Sequence, residues 1–177
     1  GNLIVNAHNL QIPDGSEISV ENSGIGNAGN LMVTATGDID IISDYDNEII
    51  SRIEAEVNNG AIGNGGNITI ATTNLNRTDG GRISLEVEGA GQGGNLFLQA
   101  TGDLNITGAT VNDSVSRIDA ESDRRATGNG GNVTIEAVNV NLANGGRITL
   151  ETESVGNSGE LFVPTSGDIN IPGPSAK

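Results

Sequence analysis

A glycine pattern that could bind a nucleotide lies between Gly89 and Gly94, in the run GAGQGGN. G-x-G-x-x-G after a strand can open a dinucleotide site, where a helix begins against a pyrophosphate. Here the glycines precede the alternating run NLFLQA, which predicts a strand. Four similar glycine runs end at Asn30, Asn67, Asn132 and Glu160. The pattern therefore belongs to a repeat, and we expect its glycines to supply positive φ in tight corners.

Regularly spaced carboxylates are the second candidate for chemistry, because Ca²⁺ is a hard cation that takes several oxygen ligands. One glutamate recurs in every copy of a short alternating segment, as Glu21, Glu56, Glu86, Glu121 and Glu151. Two interpretations stay open for this column. Either Glu56, Glu86, Glu121 and Glu151 share Ca²⁺, or they extend into solvent and confer solubility.

The loop SDYDNE is a separate acidic candidate, with Asp44, Asp46 and Glu48 at Ca²⁺-like spacing. Its counterpart in the repeat, GATVND, keeps only Asn112 and Asp113. We therefore expect either a calcium site outside the repeat or a solvated acidic loop.

Composition narrows the function classes. The chain has 23 acidic and 8 basic residues and a net charge of −15, which disfavours nucleic acid. It has no cysteine and no apolar run of the ~18 residues that a membrane-spanning helix needs. His8 is the only histidine, so no Ser-His-Asp or histidine–metal set can be built. We predict that the protein is not an enzyme, takes no cofactor other than Ca²⁺ and does not insert into membranes.

The glycine runs define a repeat that must position all these residues. Coils begin at Gly1, Gly29, Gly66, Gly94, Gly131 and Gly159, with spacings that alternate between 28 and 37 residues. Each coil contains three short segments of alternating polarity, which predicts three strands. We expect an all-β, right-handed parallel β-helix of about six rungs in one domain, with rungs 1–28, 29–65, 66–93, 94–130, 131–158 and 159–177.

The alternation also predicts which side chains point inward. One aliphatic column is Leu3, Leu31, Ile68, Leu96, Val133 and Leu161, and a second is Ile18, Ile53, Ile83, Ile118 and Ile148. Arg77 stands where Ile12 and Leu142 stand in other coils, so we expect it to swing outward or to lie at a distortion. Corner asparagines such as Asn67 and Asn95 are expected to form hydrogen-bonded amide ladders.

The repeats, such as GNAGNLMVTA and GGRISLE, resemble the filamentous haemagglutinin-type repeats of large bacterial exoproteins of the two-partner secretion class, cyanobacterial members above all. The resemblance implies a right-handed β-helix, secretion or cell-surface location, and a role in adhesion or matrix. We expect a structural or adhesive segment whose partners are surface or matrix glycans or proteins. The alternative is a carbohydrate-binding or polysaccharide-cleaving β-helix.

Three further features suggest contacts with partners. Met32, Phe97 and Phe162 recur every 65 residues and form an apolar stripe, for rung-to-rung stacking or for partner contact. The extra residues of the long coils, 43–51 and 108–116, are expected to project from one side. Glu160, Pro164, Pro172 and Pro174 depart from the repeat. We therefore expect the C-terminal part of a longer β-helix, with an open first rung that favours self-association.

Overall fold

A computed structural model of the chain describes residues 1–44, 46–47, 49–108 and 115–173. These residues form strands and no helix. In chain order the strands are β1 (Leu3–Ala7), β2 (Leu10–Pro13), β3 (Glu17–Asn22), β4 (Leu31–Ala35), β5 (Ile39–Ile42), β6 (Arg52–Val57), β7 (Ile68–Thr72), β8 (Leu75–Thr78), β9 (Arg82–Val87), β10 (Leu96–Ala100), β11 (Asp103–Thr107), β12 (Arg117–Ser122), β13 (Val133–Glu136), β14 (Asn139–Ala143), β15 (Arg147–Thr152), β16 (Leu161–Phe162) and β17 (Ile169–Asn170).

Each strand pairs with the strand three positions along the chain, and this arrangement produces three sheets. Sheet A has the order β1-β4-β7-β10-β13-β16, sheet B the order β2-β5-β8-β11-β14-β17, and sheet C the order β3-β6-β9-β12-β15. Every pairing within these sheets is parallel. The all-β parallel β-helix with about six rungs is therefore confirmed.

The core is a stack of aliphatic columns between the sheets. Leu31 pairs with Ile68 in sheet A, and Ile53 pairs with Ile83 in sheet C, as the repeat predicts. All four side chains are fully buried. The 65-residue period returns the same inward position to every second rung, and aliphatic residues of the rungs between complete each column. A narrow interior filled in this way needs no aromatic ring.

The glycine corners have two causes, of which one was expected. Gly26 and Gly63 have positive φ, whereas Gly91 and Gly94 are not among the residues with positive φ. Instead, a Cβ on either residue would lie 1.9 Å from a carbonyl oxygen of the preceding rung, that of Gly63 or Gly66. Backbones in successive corners approach too closely for a side chain, so close packing between rungs requires glycine here.

Arg77 corrects another expectation. It neither swings outward nor distorts its strand, because β8 keeps regular register with Ile41 on one side and Ile106 on the other. The side chain is fully buried, and none of its three guanidinium nitrogens has a hydrogen-bond partner. Burial lowers its pKa from the ordinary arginine value to about 9, although the charge of Asp119 opposes the shift. Strand pairing on both sides thus holds a charged residue at an inward position.

The final rung is paired less extensively than the others. Strands β13 and β16 pair over two residues, as do β14 and β17, and after Pro164 only an isolated parallel bridge joins Ala137 to Thr165 among the described residues. Leu161 is 44% exposed, whereas Leu31 in the same column is 0% exposed. Pro174 lies outside the described residues. The rung-by-rung order of the core therefore weakens in the last described strands.

Candidate functional site

The outward face of sheet C carries three parallel columns of charged and polar residues, as the repeat predicts. The first column is Glu17, Arg52, Arg82, Arg117 and Arg147. The second is Ser19, Glu54, Ser84, Asp119 and Thr149. The third is Glu21, Glu56, Glu86, Glu121 and Glu151, the glutamate column. We refer to this surface as the charged face.

Acidic residues of the middle column reduce the charge repulsion within the arginine column by forming direct ion pairs with it. Arg52 Nη1 lies 3.1 Å from Glu54 Oε2, and Arg117 Nε lies 3.1 Å from Asp119 Oδ1. Ser84 Oγ donates a hydrogen bond of 2.9 Å to Asp119 Oδ2. The side chains of Glu54, Ser84 and Asp119 are buried. Ser84 and Asp119 have shorter side chains than the arginines and glutamates in the columns on either side.

The glutamate column is electrostatically strained. Burial, followed by the charges of Glu54, Glu121 and Glu56, raises the pKa of Glu86 to about 7. Burial also raises the pKa of Glu56 and of Glu121. Arg117 reaches Glu121 at 3.8 Å, whereas Arg124 pairs with Glu153 outside the column. Glu56, Glu86 and Glu121 therefore take up protons more readily than isolated glutamates do.

Calcium binding stays a prediction. Among the described residues, no group of three or more histidine, aspartate or glutamate side chains is arranged to hold a metal ion. Asp44 accepts hydrogen bonds from the backbone N–H groups of Asp46 and Asn47 and from the Asn47 amide. The amide of Asn47, followed by its backbone N–H, lowers the pKa of Asp44. Glu48, Asn112 and Asp113 lie outside the described residues.

The outward face of sheet A contrasts with the charged face. Met32, Thr69, Phe97, Thr134 and Phe162 occupy successive rungs in one register column, which begins at Ile4. Met32 is 45% exposed, Phe97 36% and Phe162 63%. We call this column the aromatic stripe. The sequence predicted its register, and the exposure shows that stacking between rungs leaves much of it open.

Two grooves border the aromatic stripe in rungs 4 to 6. One is lined by residues 99–101, 136–138 and 164–166 and includes Gln99, whose Nε2 donates to Glu136 Oε2 at 3.0 Å. The other is lined by residues 92–93, 95, 129–130, 132 and 157–160, which are glycines and uncharged polar residues except the charged Glu160. The residues between the grooves belong to β10, β13 and β16. Polar side chains therefore lie on both sides of Phe97 and Phe162.

The groove next to Asn95 follows the predicted amide ladder. Nδ2 of Asn67 donates to Oδ1 of Asn30 at 3.1 Å, and Nδ2 of Asn132 donates to Oδ1 of Asn95 at 3.0 Å. Backbone N–H groups also donate to the side-chain oxygens of this column, as Asn67 does to Asn30. The same bond joins a second corner column, in which Asn64 N–H donates to Asn27 Oδ1. Each carboxamide has two N–H donors, so the ladder leaves donor capacity for a ligand.

Two structural features were missed by the sequence analysis. Sheet B carries an additional amide ladder, in which Asn105 donates to Asn76 at 2.9 Å and Asn141 donates to Asn105 at 2.8 Å. The base of each long-coil insertion is also held by a buried serine: Ser116 Oγ donates to the Thr107 carbonyl at 2.8 Å, as Ser51 Oγ does to Ile42. The signal was present, since the long coils have SRI where the short coils of rungs 3 and 5 have GRI.

His8 forms its hydrogen bond with a hydroxyl group, not with a carboxylate. Its Nδ1 lies 2.8 Å from Thr36 Oγ1 on the exposed corner between sheets A and B.

Among the described residues, no helix is long and apolar enough to cross a membrane. Comparison with known proteins adds no relative, because no family model, no curated protein and no solved structure matches the chain. The absence of catalytic activity stays a prediction.

Proposed function

We propose that this chain is a structural and adhesive segment of a secreted bacterial exoprotein, serving as an extracellular stalk, attachment surface or matrix element. The observation that carries the proposal is the uninterrupted rung-to-rung register of three parallel sheets around one aliphatic core. Such a stack resists bending because each rung is paired with its neighbours along three strands. Six rungs at about 4.8 Å give a rod of roughly 25–30 Å, which more rungs would extend.

The charge and composition support an extracellular role. A net charge of −15 keeps a rod soluble at high local concentration, and the absence of cysteine makes the fold independent of the redox state of its surroundings. The repeat's resemblance to filamentous haemagglutinin-type repeats points to the same class of exoprotein. The partners we propose are surface or matrix glycans or proteins, together with lateral or end-to-end contacts between rods.

The test is surface labelling of the producing cells and retention of protein-coated beads. Antibodies against the chain should label intact cells without permeabilisation. Beads coated with the folded protein should be retained on producer biofilm under flow, and beads coated with the core variant Ile83→Asp should be retained less. Labelling that requires permeabilisation would overturn the extracellular role, and equal retention would overturn the adhesive one.

The grooves beside the aromatic stripe favour carbohydrate binding as a second candidate. Binding and cleavage are separated by incubating the protein with a panel of plant, algal and bacterial polysaccharides and measuring new reducing ends. We expect none, because the carboxylates recur in columns and not as a single acid–base pair. Specific release of oligosaccharides would replace the structural role with an enzymatic one.

A further inference from the structure

We propose that the aromatic stripe binds a neutral, linear β-1,4-linked glycan that lies along the rod axis, with its sugar rings on Phe97 and Phe162. The proposal rests on the adhesive function proposed above and names the ligand class and the site. It places the glycan across rungs 4 to 6, where the stripe is bordered by the two grooves. No charged residue of the charged face takes part.

The spacing of the stripe matches such a glycan. Phe97 and Phe162 are two rungs apart and have Thr134 between them, so their positions on the sheet are separated by about 10 Å. This separation is close to the length of a disaccharide unit in an extended β-1,4-linked chain. One sugar therefore falls on each rung, and alternate sugars, which present the same ring orientation, fall on the two phenylalanines. The smaller Thr134 leaves room for the sugar between them.

The polar border of the stripe also matches such a glycan. A β-linked pyranose has apolar C–H faces and equatorial hydroxyl groups around its edge. Phenyl rings attract the C–H face through their negative quadrupole, and donors and acceptors at the sides bind the hydroxyls. Gln99 and Glu136 lie on one side of the stripe, and the carboxamides of Asn95 and Asn132 lie on the other. This apolar centre with polar edges matches such a sugar chain.

The charge of this surface favours a neutral glycan. Glu136 is the one charged residue at the outward positions of the described strands of sheet A, although the chain carries −15. A uronate or sulfated glycan would be repelled by the rest of the acidic surface. A neutral glycan has no such penalty. The surface therefore favours cellulose-type or chitin-type chains over anionic polysaccharides.

A second copy of the chain fits this surface less well. Three rungs of sheet A offer about 15 Å by 17 Å, or roughly 250 Å², whereas a stable protein interface buries about 800 Å² on each partner. Two rods of charge −15 would also repel each other. A single glycan chain is about as wide as the stripe, so it can contact the whole width of the stripe.

The experiment is isothermal titration of the protein with cellotetraose and cellohexaose. We expect the parent to bind both, Phe97→Ala to weaken binding about tenfold, and Phe97→Ala with Phe162→Ala to abolish it. Val155→Ala removes a side chain that is 90% exposed outside the stripe and serves as the matched control with unchanged affinity. Circular dichroism checks that each variant keeps the parent fold.

A variant that should bind the glycan more tightly provides a test that does not depend on variants that lose stability. Met32 lies two rungs before Phe97, so Met32→Phe should extend the stripe by one aromatic position. We expect it to tighten binding of cellohexaose several-fold and to leave cellotetraose unchanged, because only the longer chain reaches rung 2. A galacturonate hexamer should not bind at low salt.

Four results would overturn the proposal. These are no binding of either oligosaccharide, equal binding by the double phenylalanine variant, equal binding of the galacturonate hexamer, or a Phe97-dependent dimer in sedimentation that excludes the glycan. Failure here is distinguishable from failure of the adhesive role. Surface labelling and bead retention would persist without cellohexaose binding in the first case, and binding would persist without surface labelling in the second.

Discussion

Sheets A and C are built from the same kind of strand, with the same parallel pairing and the same aliphatic inner side, yet their outer sides differ completely. The outer side of sheet A has one charged residue, Glu136, and exposes two phenylalanines. The outer side of sheet C stacks arginines on arginines and glutamates on glutamates. The fold therefore constrains the inward half of each strand and leaves the outward half free to acquire a ligand surface or a charged one.

The largest expected effect tests whether the inner sides of the two sheets are equivalent. Ile68→Asp in sheet A and Ile83→Asp in sheet C each bury an unpaired carboxylate at a fully buried position, which costs several kcal/mol. Both should unfold at least the adjacent rungs and lower Tm to a similar extent in circular dichroism melts.

The control for these core variants is Thr69→Ser, on the outer side of sheet A. Loss of one methyl there should change the free energy of unfolding by less than about 1 kcal/mol. A melt of Ile83→Asp that overlays the parent's would contradict the inward assignment of sheet C.

The next effect concerns Arg77, whose charge lies at an inward position of sheet B. Arg77→Leu restores the residue type of Leu142 and Ile12 and removes a buried guanidinium without hydrogen-bond partners. Replacing buried charges with hydrophobic residues is often stabilising, and we expect a gain of about 2–4 kcal/mol in urea denaturation. Arg82→Leu, on the half-buried arginine column, is the matched control and should give no such gain.

The pH dependence supplies a second check on Arg77. Its pKa falls from the ordinary arginine value in an unfolded chain to about 9 in the folded one. The cost of burying the charge is therefore present below pH 9 and diminishes as pH rises above 9. The parent should gain stability between pH 8 and 10.5, and Arg77→Leu should remove this gain. A slope that persists in the variant would show that another group causes it.

The inward columns and the register of the charged face could be predicted from sequence, because a gap-free 65-residue repeat aligns Ile53 with Ile118 and Glu56 with Glu121. The position of Arg77 could not, because its side chain favours solvent and only pairing with β5 and β11 holds it inside. The burial of Ser84 depends on the reach of neighbouring arginines and glutamates, which alternation does not encode. The grooves beside Phe97 arise where three rungs meet, and no single repeat contains them.

A smaller effect separates the charged face from the aromatic stripe by pH. The pKa of Glu86 is raised to about 7, above the ordinary 4.5, by burial and the neighbouring glutamates. A raised carboxyl pKa favours the folded state at low pH, and this contribution is lost as pH rises from 4.5 through 7. Glu86→Gln should therefore stabilise the protein at pH 8 by on the order of 1 kcal/mol, discounted for solvent screening, and should change little at pH 4.5.

The control for Glu86→Gln is Glu136→Gln, which makes the same change in net charge on sheet A. It should leave the pH profile of Tm between 4.5 and 8 as in the parent. If both variants flatten the profile equally, net charge and not the glutamate column governs the pH dependence.

The smallest effect tests whether the glutamate column shares Ca²⁺. Extracellular sites of modest affinity have dissociation constants near 1 mM, so 2 mM Ca²⁺ would stabilise the folded protein by about 0.6 kcal/mol. Calcium should raise Tm at pH 8, where Glu86 is largely ionised, and less at pH 5, where protons compete for the same oxygens.

The double variant Glu86→Gln, Glu121→Gln should lose the calcium response, whereas the double variant Asp44→Asn, Asp46→Asn should keep it. A response that survives loss of Glu86 and Glu121 but disappears with Asp44 and Asp46 would assign calcium to the loop. No response in the parent would leave proton uptake as the chemistry of the charged face.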